Sequence, residues 1–305
     1  MKISSYPTFG IILLSIFLSA CRSSNGLEVC WKENGGQPYR LEKVIEVDGR
    51  QGIATDGTYY YVSSSTAIYK YNKEGQLIQS NKHPFERLQL PANHIGDIDV
   101  ADGNIYMGIE TFIDGKGENI QVAVYDTETL RYKHSILWDS RSGQVEVCGL
   151  AVDKEKGIVW MADWVQGHEL YAYDLNQRTY LGKVELSPTP HLQQGICCRD
   201  GHIIISCDDG DAEQLLPDHL YIVDARKMKF SPNPYQTSAV LPVKTWRTMT
   251  DFRRMGEIEG LTIDPSNSQL LVLANRGARI ILGMPKGFYN GYNREIHELY
   301  IYDRP

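Results

Sequence analysis

Residues 94–110 read HIGDIDVADGNIYMGIE, two alternating apolar strands around Asp102-Gly103. Asp-Gly between such strands signals a two-residue type I′ hairpin turn. In that hairpin the start of the first strand lies beside the end of the second. His94, Asp97, Asp99 and Glu110 are therefore expected together at one end, an unusual concentration of acid for a strand pair.

The hairpin recurs along the chain. Residues 51–62 read QGIATDGTYYYV and residues 194–205 read QGICCRDGHIII, while CGLAVDKEKGIVWM (148–161) and EGLTIDPSNSQLLVL (259–273) carry longer turns. A third strand of nearly constant formula follows each: AIYKYN, VAVYDT, LYAYDL, LYIVDA and LYIYDR, closed by Asn72, Asp126, Asp174, Asp224 and Asp303. Fourth strands follow most of them, as in QLIQS, TYLGKVEL and the weaker SAVLPV. Self-similar units of about fifty residues with four short strands predict an all-β chain folded as a β-propeller. Five units are counted, with a six-bladed ring as the alternative. The last unit stops after its third strand. YRLEKVIEV (39–47) is an alternating strand without a partner, expected to complete the fifth blade and close the ring.

The ends bound the rest. An apolar run, FGIILLSIFL (9–18), is short for a membrane span and suits a signal segment. It leads into Leu18-Ser19-Ala20-Cys21, which resembles the lipobox of bacterial lipoproteins. The resemblance implies removal of residues 1–20, acylation of Cys21, a tether over 21–30 and anchoring in the cell envelope, with Arg22 fitting transfer to the outer membrane. An ordinary secretory signal with a chance cysteine is the alternative. The propeller domain is then 31–305. A net charge of −7 with no lysine or arginine run argues against nucleic acid. Five further cysteines, Cys30, Cys148, Cys197, Cys198 and Cys207, show no zinc spacing and read as inert thiols.

Applied to every blade, the hairpin argument places first-strand starts and second-strand ends around one mouth. The starts supply Arg50, Gln51, His94, Asp97, Glu146, Gln194, Glu257 and Glu259. The ends supply Ser63 to Ser65, Glu110, Asp163, Trp164, Asp208, Asn275 and Arg276. Long connections at 225–256, with Trp246, Arg247, Arg253 and Arg254, and at 275–297 are expected on the same face, as is IETFIDGKGENIQ in the second unit.

Three chemistries fit such a ring. Oxygen ligands suit Ca²⁺. Two carboxylates suit acid–base attack on a glycosidic bond. His94 beside Asp97 suits a general base. His94, Asp97, Glu146 and Glu259 are the candidate catalytic residues, and the others are candidate ligand contacts.

Inner strands opening with Glu-Gly or Gln-Gly and third strands reading LYxYD resemble exported bacterial propellers of the NHL, YncE and SMP-30/gluconolactonase-like kind. In the lactonases a divalent metal is held at the channel by a Glu with Asn and Asp. The resemblance implies Glu259, Asn275 and Asp163, or Asp208, as metal ligands here. The function expected is a carbohydrate-active or metal-assisted hydrolase or lyase in the envelope, with a non-catalytic glycan- or protein-binding module as the alternative.

Overall fold

The strand pairs form where their turn residues predict. In the opening hairpin, Asp102 and Gly103 both adopt positive φ, 49° and 70°, as a type I′ turn requires. His94 is registered against Glu110. The computed structural model describes residues 39–113, 115–164, 167–252, 255–281 and 284–304. The signal segment, Cys21, the tether, Cys30, Trp31, Arg253 and Arg254 lie outside the described residues.

Five small antiparallel sheets make the five blades. The first blade contains Ile53–Thr55, Tyr60–Ser64, Ala67–Tyr71 and Leu77–Asn81. The second contains His94–Ala101, Asn104–Ile113, Lys116–Asp126 and Tyr132–Leu137. Gly149–Asp153, Ile158–Ala162, Glu169–Asp174 and Tyr180–Ser187 form the third. The fourth is Gln193–Arg199, His202–Cys207, His219–Asp224 and Lys244–Thr248. The fifth is Ile258–Ile263, Leu270–Arg276 and Ile296–Asp303, completed by Arg40–Val47.

That last pairing closes the ring. It runs antiparallel from Arg40 opposite Asp303 to Val47 opposite His297. Tyr39, Ile45 and Val47 carry the buried face, whereas Leu41 and Val44 are more than a third exposed. Five apolar clusters fill the five blade-to-blade interfaces. The run Ile203-Ile204-Ile205 shows why these strands read as continuously apolar. Ile203 and Ile205 pack toward the third blade and Ile204 toward the fifth, so both faces are buried.

The connection after Asp224 departs from expectation. SAVLPV, expected as the fourth strand of the fourth blade, lies all but its last residue in Thr237–Pro242, which adds in parallel to the third blade's outer strand. The fourth blade's outer strand is the KTWRT that follows. Trp246 and Arg247 consequently leave the mouth. Trp246 packs edge-on to Tyr39, and the buried Arg247 donates to the Tyr39 carbonyl and to Asp251. Period-two alternation cannot tell which of two neighbouring edges an extended run will join.

At the axis the inner strands meet around Asp97. The second blade's ladder shifts register between Ile95 and Ile98, which frees Gly96 and Asp97 from strict pairing. Asp97 Oδ1 accepts from the Ile98 amide at 2.9 Å. Its Oδ2 accepts from Leu150 at 3.3 Å and Ile196 at 2.9 Å, on the third and fourth blades. The first and fifth blades press on the same carboxylate. A β-carbon on Gly260 would stand 2.6 Å from Asp97 Oδ1 and 2.8 Å from the Gly52 Cα. Only glycine permits that approach. Asp99 repeats the device one step along, accepting from Val100 and Val152, both at 2.7 Å.

Removing the Asp97 carboxylate orphans three buried amides, each costing about 1–3 kcal/mol. Asp97→Ala is therefore expected to lose about 3 kcal/mol or more in urea unfolding. A loss below about 1 kcal/mol would show that the carboxylate does not bind the blades together.

Candidate functional site

Above Asp97 the mouth opens as a cup of about 250 Å³. Each blade contributes to its wall. The first blade supplies Gln51 and Ser65, with Arg50 just before it; the second supplies His94 and Phe112, with Asn93 just before. Glu146, Cys148 and Trp164 come from the third, Gln194 from the fourth, and Glu257 and Glu259 from the fifth. A pattern in the repeat underlies this. Gln51, Cys148, Gln194 and Glu259 each immediately precede a glycine at or just before the inner strand, so one repeat position lines the cup four times.

The wall divides electrostatically. On the side of the first and fifth blades Arg50 lies 3.0 Å from Glu257, 3.6 Å from Glu259 and 3.5 Å from Glu295. Asn275 Nδ2 donates to Glu259 Oε1 at 2.5 Å and to the Arg50 carbonyl. Burial still pushes Glu257 up to about 7 and Glu259 well above the ordinary carboxylate range, with Arg50 opposing both shifts.

On the side of the second and third blades, among the described residues, no arginine is paired with the carboxylates in this way. His94 Nδ1 lies 3.1 Å from Glu110 Oε1, and the Val147 amide donates to Glu110 Oε2 at 3.1 Å. Glu110 is fully buried, and a β-carbon on Gly117 would collide with its Oε2, so glycine lets the second blade's hairpin close over it. Glu146 stands next along the chain from Val147, accepting from the Trp164 amide at 2.9 Å. Burial, followed by the charges of Glu110 and Asp163, holds the Glu146 carboxyl well above its ordinary range. Phe112 packs against the His94 ring, centroids 5.3 Å apart.

The structure gathers His94, Glu146, Glu259, Arg50, Gln51, Trp164, Gln194 and Glu257 at the cup. Four candidates stand behind or beside it. Glu110 sits behind His94, Asn275 behind Glu259, and Asp163 behind Glu146, where it accepts from Tyr171 and the Val145 and Glu146 amides. Asp208 is near enough that its charge contributes to raising Glu259, without lining the wall. Two candidates are displaced. Asp97 is fully buried at the axis, bound by backbone amides rather than by His94. Arg276 grips Glu298 through two 2.9 Å bonds and Tyr292 through one of 3.2 Å. Asn93, Phe112 and Cys148 were absent from the sequence candidates. Cys148 was legible from its place before Gly149, and Phe112 from the insertion beside His94.

Asp163 and Glu259 belong to different walls and have separate partners. Among the described residues no group of three or more His, Cys, Asp or Glu side chains is arranged to hold a metal ion. Cys148, Cys197, Cys198 and Cys207 are free thiols.

No family model and no curated protein matches the chain. Solved structures similar to it include a chain in a crystal structure of a mitotic checkpoint complex, at 13% identity and a TM-score of 0.41, covering 86% of this chain and 70% of that one. Another is U3-55K, at 9% identity and a TM-score of 0.48, covering 85% of this chain and 98% of that one. The propeller assignment rests on the five closed sheets themselves.

The raised carboxyls set the sign of a stability profile. Glu257 and Asp163 titrate at about 7 and Asp99 at about 6 when folded, raised in each case first by burial. Unfolded, all three titrate at about 4. The folded chain therefore binds more protons across that window, and stability falls as pH rises through it. The melting temperature is expected to be lower at pH 8 than at pH 5. A rise over that interval would contradict the burial described.

Proposed function

We propose that the cup is an acid–base site for a carbohydrate, and that the protein is a lipid-anchored envelope hydrolase or lyase. The observation that carries this reading is that Glu146 and His94 line one side of the cup, with Glu110 held between the His94 ring and the Val147 amide next to Glu146. A carboxyl held by burial in its protonated form is a proton donor above the pH at which ordinary carboxyls have ionised. Glu110, accepting from His94 Nδ1–H, leaves Nε2 as the base. One group removes a proton from water or substrate while the other protonates the departing oxygen. The volume admits a group the size of one sugar ring. Trp164 and Phe112 offer apolar surface, and Asn93, Ser65, Gln51 and Gln194 offer amide and hydroxyl partners.

At Glu257 and Glu259 the compensating charge comes from Arg50, so this mechanism does not require Ca²⁺ there. Gluconolactonase-type metal chemistry would instead require Asp163 and Glu259 to converge. Anchoring enters through the Leu18-Ser19-Ala20-Cys21 motif. Cys21→Ser is expected to move the protein from the membrane to the soluble fraction; retention would contradict acylation.

Glu146→Gln and His94→Ala are expected to lower turnover of envelope glycans by about 10²–10⁴-fold each. Glu146→Gln should leave glycan affinity within a few-fold, because the amide preserves shape. Wild-type activity should fall at high pH as Glu146 ionises. Glycan binding without turnover in the wild type would favour the non-catalytic module instead.

A further inference from the structure

A second depression lies on the flank, away from the cup, between the first and second blades. Its volume is about 450 Å³. The first blade's outer strand runs through Asn81 into a short 3₁₀ turn, Pro84–Arg87, which crosses to the second blade. The floor is fixed by side-chain bonds to carbonyls. Tyr125 Oη donates to the Pro84 carbonyl at 2.6 Å and Asn81 Nδ2 to the Leu130 carbonyl at 2.9 Å. Leu130 holds a left-handed φ of 53° with its side chain buried, so the turn presenting Arg131 is locked from beneath.

The rim is cationic in a chain whose net charge is −7. Lys82, Arg87 and Arg131 line the groove and are exposed, with His83 beside them. Among the described residues these three form no ion pair. The one acid lining it, Glu86, stands 3.8 Å from His83. Asp126, behind the turn, has an oxygen occupied by the Glu128 and Thr129 amides and the Thr129 hydroxyl. Three permanent positive charges face one negative charge over a rigid floor.

We infer that this groove binds a phosphate-bearing group, on a soluble sugar phosphate or on a lipid head group. Two guanidinium forks and an ammonium suit a dianion better than a single carboxylate. The acidic remainder of the surface repels anions, which concentrates them at this flank.

Titration calorimetry on the full-length chain, with glucose 6-phosphate, glucose and inorganic phosphate as probes, tests the soluble source. Flotation of the full-length Cys21→Ser chain with phosphatidylglycerol or phosphatidylcholine vesicles tests the lipid source. Glucose 6-phosphate is expected to bind at least about tenfold more tightly than glucose. Arg87→Gln with Arg131→Gln should remove that preference without moving the melting temperature, since both side chains are exposed. Binding confined to phosphatidylglycerol vesicles, and lost in the same double variant, would assign the group to a lipid. Equal affinity for glucose and its phosphate with no vesicle preference would overturn the inference, as would phosphate binding that the double variant retains.

Discussion

Five inner strands converging on one axis bring more backbone together than side chains can share, and the Asp97 carboxylate resolves the crowding. It accepts from amides on three blades while glycines of the remaining two press against it. Larger residues at Gly52 or Gly260 would hold the blades apart; without the carboxylate, three amides would face one another unpaired. The axis is filled at that level, so the mouth is a blind cup rather than the entrance to an open channel. Its acids are buried because the floor is closed, and burial is the leading cause of their raised pKa values.

Within the cup the same excess of acid is handled in two ways. Arg50 gathers Glu257, Glu259 and Glu295 and makes that wall an ion-pair network. Across from it Glu146 has, among the described residues, no arginine or lysine partner, and burial with the charges of Glu110 and Asp163 raises its carboxyl well above the ordinary range. An ion-paired wall and a wall of buried, raised carboxyls are thereby separated by the placement of one guanidinium. His94 gains its orientation from a carboxylate that also binds the Val147 amide, coupling the imidazole to the backbone beside Glu146.

The fold was legible because repetition and turn chemistry are local signals: Asp-Gly pairs, LYxYD strands and an unpaired YRLEKVIEV each found the partner that closure demands. Much of the cup was legible for the same reason, since strand ends at one repeat position must share a face. Asp97 misled because alternation places it at the mouth, and the ladder irregularity that turns it to the axis has no sequence signature. Arg276 misled because a side chain at a strand end can turn outward, here toward Glu298 one strand away. The Thr237–Pro242 crossing was hidden since either neighbouring blade offers that segment an edge.

A closed axis buries Glu146 at the mouth, and that burial holds its carboxyl well above the ordinary carboxylate range. Carboxyl ¹³C chemical shifts followed through a pH titration, with Glu146→Gln to assign the resonance, test it most directly. The expected Glu146 midpoint lies well above the ordinary carboxylate range and moves back toward it in Asp97→Ala if that variant opens the floor while still folded. A midpoint within the ordinary range in the wild-type protein would contradict it.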